Sequence, residues 1–237
     1  MGEQTPAAGG ALSRSAASAA IGDLGWRYIL GAGRAYVRVG SLAQGAKVAT
    51  VLAAAAGAVG DDCLRLDLRH DRVLLTVQSP SQQLLTGRET GLAQRISQLV
   101  SELGLATEAG VGSDSAHLVQ DLEIAIDALD IAAVRPFWQA VLDYVDEPWG
   151  HDPGAGLIDP LGQRPALWFQ QMDAPRPQRN RIHFDICVPH DEAQRRIQAA
   201  LAAGGTLVSD AEAPAFWILA DPEGNEACVT TWQGRDP

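Results

Sequence analysis

The second half of the chain is written twice in one pattern, and that repetition constrains the fold more than any single motif does. Leu122-Glu123-Ile124-Ala125-Ile126 alternates as a strand, and Asp130 then caps a helix. In that helix Val134, Phe137, Trp138, Val141 and Leu142 hold the i, i+3, i+4, i+7, i+8 spacing of one apolar face. A stretch rich in Gly, Pro and Asp follows, then further strands, the clearest being Ala166-Leu167-Trp168-Phe169-Gln170. The order restarts with a strand over Arg181–Val188 and a helix opened by Asp191 and Gln194 in capping-box spacing. Ile197 and Leu201 face inward on that helix and Gly204-Gly205 stops it. Strands over Thr206–Val208, Phe216–Leu219 and Ala227–Thr230 finish the unit. The last two are joined by Asp221-Pro222-Glu223-Gly224-Asn225, a tight turn in which Pro222 presets φ and Gly224 or Asn225 accepts a positive φ. Two βαβββ units in tandem are therefore expected over residues 118–237.

The first half has a different rhythm. After a lead over residues 1–20 that reads as disordered, with a short helix from about Ala11 to Asp23, strands are expected at Trp26–Leu30 and Arg34–Val39. Ser41 caps a helix running to about Gly57, and Leu64, Leu66 and Leu68 alternate with Arg65, Asp67 and Arg69 as a half-buried strand. His70-Asp71-Arg72 turns the chain, Val73–Gln78 returns it, and Thr86 caps a helix carrying Leu92, Ile96, Leu99, Val100 and Leu103 to Gly104. The order αββαββα predicts an α+β sandwich with its helices on one sheet face, over residues 21–105. Residues 106–117 are small and polar and read as a linker, so the chain is expected to be two domains.

A net charge of -11 argues against nucleic acid or an anionic membrane as partner, since either needs a basic patch. The longest apolar run, Val48–Val59, is shorter than the ~20 residues that cross a bilayer. No basic start followed by an apolar core marks a signal peptide, and the three cysteines, Cys63, Cys187 and Cys228, lie far apart. These features predict a cytoplasmic protein. Gly31-Ala32-Gly33 lacks the third glycine and following helix of a phosphate loop, and no Ser-His-Asp set stands out. Pro148, Trp149, His151 and Asp152 fall in a long irregular loop, read either as a lid or as plain surface.

Asp130 with Phe137-Trp138, Leu142-Asp143-Tyr144, Leu167-Trp168-Phe169-Gln170, Ile182-His183-Phe184-Asp185 and Asp221-Pro222-Glu223-Gly224-Asn225-Glu226 together resemble the glyoxalase-like members of the vicinal oxygen chelate superfamily. The resemblance implies a cupped sheet whose hollow binds a small molecule, often through a divalent metal. Its ligand places fall on Glu123, His183, about Leu167, and Cys228. Leu167 cannot coordinate, so the reading favours a hollow without a resident metal, with His183 a pocket histidine and Cys228 a small buried hydrophobe. Were a metal held, Glu123, His183 and Cys228 would be its ligands. Trp168, Gln170 and Trp217 sit on strands that would line the hollow, where a tryptophan stacks on a planar ligand or simply packs; Trp138, by its helical phase, is core.

The first half resembles the pterin-4a-carbinolamine dehydratase family in its order of elements and at several positions. The family's His-His-Pro stretch falls on Asp61-Asp62-Cys63, its acidic helix position on Glu89 within Thr86–Ala93, and an aromatic of its third strand on His70; its later histidine has no counterpart near Ser79-Pro80. The resemblance implies a hydro-lyase acting on a 4a-hydroxytetrahydrobiopterin, with Asp61, Asp62, Glu89 and His70 as the acid/base set. Adjacent aspartates can do that work only if burial or mutual repulsion raises one pKa, and Gly60-Asp61-Asp62 also reads as a solvated turn. Two alternatives stand beside it: an enzyme that works in the C-terminal cup on an oxygenated small molecule, or a small-molecule binding protein without chemistry. The dehydratase-like sheet edge also makes a homodimer an expectation of the resemblance.

Overall fold

A computed structural model describes residues 10–80, 84–111, 117–148, 155–176, 178 and 180–235, and the chain divides into two units, Met1–Asp121 and Leu122–Pro237. The first unit runs α1 (Arg14–Gly22), β1 (Arg27–Ile29), β2 (Ala32–Arg38), α2 (Leu42–Cys63), β3 (Leu64–Leu68), β4 (Arg72–Gln78) and α3 (Gly87–Glu102), in the order the sequence predicts. Its antiparallel sheet is ordered β1-β2-β4-β3. Odd-numbered residues of β2 and β4, such as Ala35, Val37, Val73 and Leu75, turn inward to meet Ile21, Leu52, Ile96 and Val100 of the helices. Hydroxyls start the helices: Ser13, Ser41 and Thr86 each accept from a first-turn amide.

Two expectations change here. The stretch read as linker is partly strand, because β5 (Thr107–Glu108) adds to the edge of β2 and β6 (Gly110–Val111) pairs with β7 (His117–Leu118). The first unit therefore extends to Asp121, whose carboxylate lies 2.6 Å from the Arg34 guanidinium. Helix α2 continues past Gly57 to Cys63, with Gly57 at φ 53 and ψ -151 breaking it into two pieces. By length and composition alone α2 is apolar enough to cross a bilayer, although the uninterrupted apolar run Val48–Val59 is shorter than a span; its Val48, Leu52 and Ala56 are buried in the core of the unit.

The second unit holds the expected duplication. The first copy is β8 (Glu123–Ala128), α4 (Ile131–Leu142), β9 (Val145–Asp146), β10 (Leu157–Ile158) and β11 (Ala166–Gln171). The second is β12 (Phe184–Cys187), α5 (Ala193–Ala202), β13 (Thr206–Ser209), β14 (Phe216–Ala220) and β15 (Glu226–Thr230). The sheet orders, β8-β11-β10-β9 and β12-β15-β14-β13, are the same, with the first strand of each copy parallel to its last. One core serves both copies: Ile126, Phe137, Trp138 and Leu167 from the first meet Ile186, Ile197, Leu219 and Val229 from the second. The capping-box spacing at Asp191 is not used. Helix α5 begins one residue later, after Glu192, which makes no side-chain cap and instead pairs with Arg195 and Arg196.

The Asp-Pro-Glu-Gly-Asn turn is a clasp between the copies. The buried Asp221 carboxylate accepts from Glu223 N and Asn225 N (both 2.9 Å), from Asn225 Nδ2 (2.7 Å) and from the indole Nε1 of Trp138 on α4 (2.9 Å). The Glu223 carboxylate in turn accepts from the amides of Leu129 and Asp130 at the start of α4, where a helix offers unpaired donors. The first copy carries a carboxylate-held turn of its own at Asp159-Pro160-Leu161-Gly162, without the link between copies. There Asp159 accepts from the amides of Leu161, Gln163 and Arg164 and from the Arg164 guanidinium. Burial raises the Asp159 carboxyl, but Arg164 and the amides outweigh it, and its pKa falls from 3.8 to about 2.

Candidate active site

The open face of the second sheet is organised by strict alternation. On β12 Ile186 faces the core while Asp185 and Cys187 face away; on β15 Ala227 and Val229 face the core while Cys228 and Thr230 face away. The parallel register sets Asp185 beside Cys228 and Cys187 beside Thr230. The antiparallel register adds Ile218 of β14 next to Cys228 and Phe216 next to Thr230. His183, two residues before Asp185, extends the first row, and its Nε2 lies 3.5 Å from Asp185 Oδ1. Thr230 Oγ1 donates to Cys187 Sγ at 3.0 Å. His183, Asp185, Phe216, Ile218, Cys228 and Thr230, with Glu226 and Arg235, line a cavity of about 210 Å³.

Within that cavity one donor atom each from His183, Asp185 and Cys228 lie within 4.8 Å of one another. Cys228 is 6% exposed, whereas the His183 and Asp185 side chains are more than half exposed. The three therefore form a floor open on one side. An imidazole, a carboxylate and a thiol are the mixed donors of borderline divalent ions such as Zn²⁺, and three protein ligands leave a position open. The set does not suit Mg²⁺, which takes oxygen ligands in a near-ideal octahedron.

Of the residues predicted from sequence for the hollow, the structure joins His183 and Cys228, and Asp185 completes the group in place of Glu123. Glu123 lies on β8, on the solvent face of the first sheet with Trp168 and Gln170, which sit in register beside Ala125 and Asp127. Leu167 is not at a ligand place: it is 1% exposed and packs in the core, so the absence of a donor there has no bearing on metal binding. Trp217 also corrects the expectation, since it faces the core beside Leu219 while its neighbours Phe216 and Ile218 face the cavity. Asp185 was legible as His-x-Asp on a strand, because a period of two puts residues i and i+2 on one face. Of the four loop residues named from the sequence only Pro148 is described; Trp149, His151 and Asp152 lie outside the described residues.

In the N-terminal unit the expected acid/base set is split: Asp62 and Glu89 lie in one neighbourhood, and His70 stands apart in a turn. Asp61 and Asp62 are exposed on the last turn of α2, and Asp62 pairs with Arg88 Nη2 at 3.0 Å. Glu89 is 1% exposed, and its Oε2 accepts from Thr86 N (2.8 Å) and Thr86 Oγ1 (2.6 Å), the capping box of α3. Burial, and then the Glu89 charge, push the neighbouring Cys63 thiol up. Asp62, Cys63, Arg88 and Glu89 thus share one neighbourhood. His70 does not join it as a strand residue: it lies in the β3–β4 turn with its side chain 90% exposed, 3.8 Å from Asp71.

Residues 123–230 match the family described as a glyoxalase-like domain. No curated protein matches the chain. Among solved structures, a glyoxalase/bleomycin resistance protein/dioxygenase family enzyme from Burkholderia phytofirmans PsJN is similar at 20% identity. The match covers 47% of this chain and 98% of that one, with a TM-score of 0.40. A glyoxalase-related enzyme from Fulvimarina pelagi is similar at 17% identity over 48% of this chain and 88% of that one, TM-score 0.39. The fosfomycin resistance protein FosX from Listeria monocytogenes is similar at 11% identity over 47% and 90%, TM-score 0.37. At such scores the assignment rests on the domain match and on the paired βαβββ units. The C-terminal region of this chain, residues 123–230, is a glyoxalase-like domain of the vicinal oxygen chelate type.

Proposed function

We propose that the C-terminal domain is the enzymatic part of this chain. It acts on an oxygenated small molecule held over His183, Asp185 and Cys228, with a divalent ion of the Zn²⁺ class bound by those three side chains. The observation that carries the proposal is the convergence of three donors of different chemistry on the floor of one cavity. When bound, such an ion supplies Lewis acidity to a substrate oxygen. The chain's own residues do the rest. Asp185 Oδ1 lies 3.5 Å from His183 Nε2, close enough to restrain the imidazole ring. Phe216 and Ile218 form an apolar wall that keeps water from the reacting oxygen, and the Thr230 hydroxyl holds the Cys187 sulfur to one side.

The test is metal loading followed by turnover. Protein loaded with Zn²⁺ and dialysed should keep about one ion per chain, and His183→Ala or Asp185→Ala should lose it. Activity against a panel of small oxygenated substrates should fall on chelation and return with the ion. A wild-type chain that holds no ion after loading overturns the metal centre, and turnover unaffected by Cys228→Ala and His183→Ala overturns the site.

A further inference from the structure

Glu226 lines the same cavity as His183, Asp185 and Cys228 but is not one of the three donors that converge there. It opens β15, where Ala227 and Val229 are fully buried, so Glu226 alternates onto the open face with Cys228 and Thr230. Its backbone is fixed from behind. Asn225, the residue before it, accepts from the Asp221 amide (3.0 Å) and donates its own amide and side chain to the Asp221 carboxylate (2.9 and 2.7 Å). The clasp that joins the two copies therefore also sets Glu226 at the closed end of the β14–β15 hairpin.

The neighbours on either flank differ in what they offer. On the β14 side the register puts Ala220 beside Glu226, and a methyl group gives a carboxylate nothing to accept. On the β12 side Phe184 pairs with Ala227, and one step back along both parallel strands brings His183 beside Glu226. Adjacent strands lie ~4.8 Å apart, within the reach of a glutamate side chain. The Arg235 guanidinium, also in the lining, is tied to the Ala215 carbonyl at 3.5 Å, near the Phe216–Thr230 end of the hairpin and away from Glu226.

His183 turns Nε2 to Asp185 Oδ1 at 3.5 Å. That is close to the ~3.4 Å between two ligand atoms on a tetrahedral ion with bonds of about 2.0–2.1 Å. Nδ1 is then the nitrogen that calls for a partner. A ligating histidine almost always gives its other N–H to a carboxylate, a carbonyl or water, and that contact fixes the tautomer and the direction of the ring. Of the carboxylates lining this cavity among the described residues, Asp185 is in the donor set and Glu226 remains. We infer that Glu226 is the positioning residue of the floor: its carboxylate accepts from Nδ1–H of His183 and so presents Nε2 to the ion. This inference rests on the metal centre proposed above and adds to it a residue that is not a ligand.

The probe is Co²⁺ alone, titrated into the full metal-free chain in competition with a chromophoric chelator, with affinity and visible bands read together. Glu226→Leu, similar in size and without an acceptor, should weaken Co²⁺ binding about 10–100-fold. Glu226→Gln keeps an acceptor oxygen without the charge and should stay within about fivefold of the wild type. At saturating ion both should show the wild-type bands, because the ligands are unchanged. Glu226→Ala, run in parallel, replaces Glu226→Leu if circular dichroism shows that variant unfolded. Binding by the acceptor-free variant within about threefold of wild type overturns the inference and leaves the metal centre standing. Glu226→Gln as weak as Glu226→Leu would make Glu226 only a nearby charge, and altered bands in either would make it a ligand; each overturns the inference. A wild-type chain that binds no Co²⁺ overturns the metal centre and this inference with it.

Discussion

Replacing Asp221 isolates what the Asp-Pro-Glu-Gly-Asn turn does. Its carboxylate accepts four hydrogen bonds, and the groups on the other side differ in their access to water. The amides of Glu223 and Asn225 and the Asn225 side chain are part-buried, so water replaces some of what they lose. Trp138 is 1% exposed, and its indole N–H has no such recourse. Asp221→Ala should therefore cost about 1–3 kcal/mol for the orphaned indole donor and about 1 kcal/mol for the weakened turn, roughly 3 kcal/mol in all. Asp221→Asn keeps the shape and one acceptor oxygen and should cost about half as much. Hydrogen exchange read by mass spectrometry on peptides from α4 and β14–β15 measures this loss in the C-terminal unit alone. Trp138→Phe removes the donor, so the double change Asp221→Ala with Trp138→Phe should cost about 1–2 kcal/mol less than the sum of the two single changes. A loss under about 1 kcal/mol for Asp221→Ala, or strict additivity in the cycle, would refute the clasp.

Three other outcomes are expected. The Asp159 carboxyl is held at about 2 against 3.8 for an ordinary one, so its stabilisation, about 2 kcal/mol, is complete above pH 4 and lost as pH falls through 2. Asp159→Asn should remove that part of the acid-side slope in an unfolding titration, and an unchanged slope would contradict the assignment. Glu89→Ala should destabilise the N-terminal unit by about 2 kcal/mol in exchange measurements on α3, because two hydrogen bonds and a favourable charge at a helix start are lost together; a change below about 0.5 kcal/mol would contradict the capping role. Gly205→Ala would bring a Cβ to 2.4 Å from Phe137 Cδ2 and 2.8 Å from the Ala200 carbonyl oxygen, and should lower stability by about 2 kcal/mol, visible as an earlier melt.

Much of the fold was legible because its signals are local. Helix α4 shows its buried face in the spacing of Val134, Phe137, Trp138, Val141 and Leu142, all of them core residues. The duplicated strand order follows from that pattern restarting at Arg181. Strand β5 escaped notice because two residues, Thr107 and Glu108, carry no periodicity, and only their distant pairing with β2 makes them a strand. The phase of β14 is hidden for a different reason: Phe216, Trp217, Ile218 and Leu219 are all apolar, so no polar residue marks which face is wet, and the choice between stacking and packing for Trp217 is settled only by the core it joins. Cys228 and His183 were found through the resemblance. The strand period puts Asp185 on the face of His183, but whether the cavity gathers Asp185 or Glu123 depends on packing between strands far apart in sequence.

The most direct measurement is a Co²⁺ titration of the metal-free chain followed by absorption spectroscopy. With His183, Asp185 and Cys228 as ligands, visible d–d bands should saturate at about one ion per chain, accompanied by a near-ultraviolet thiolate-to-cobalt band that Cys228→Ser abolishes and Asp185→Ala weakens. A titration that leaves the spectrum featureless, or a thiolate band that survives Cys228→Ser, would contradict the centre.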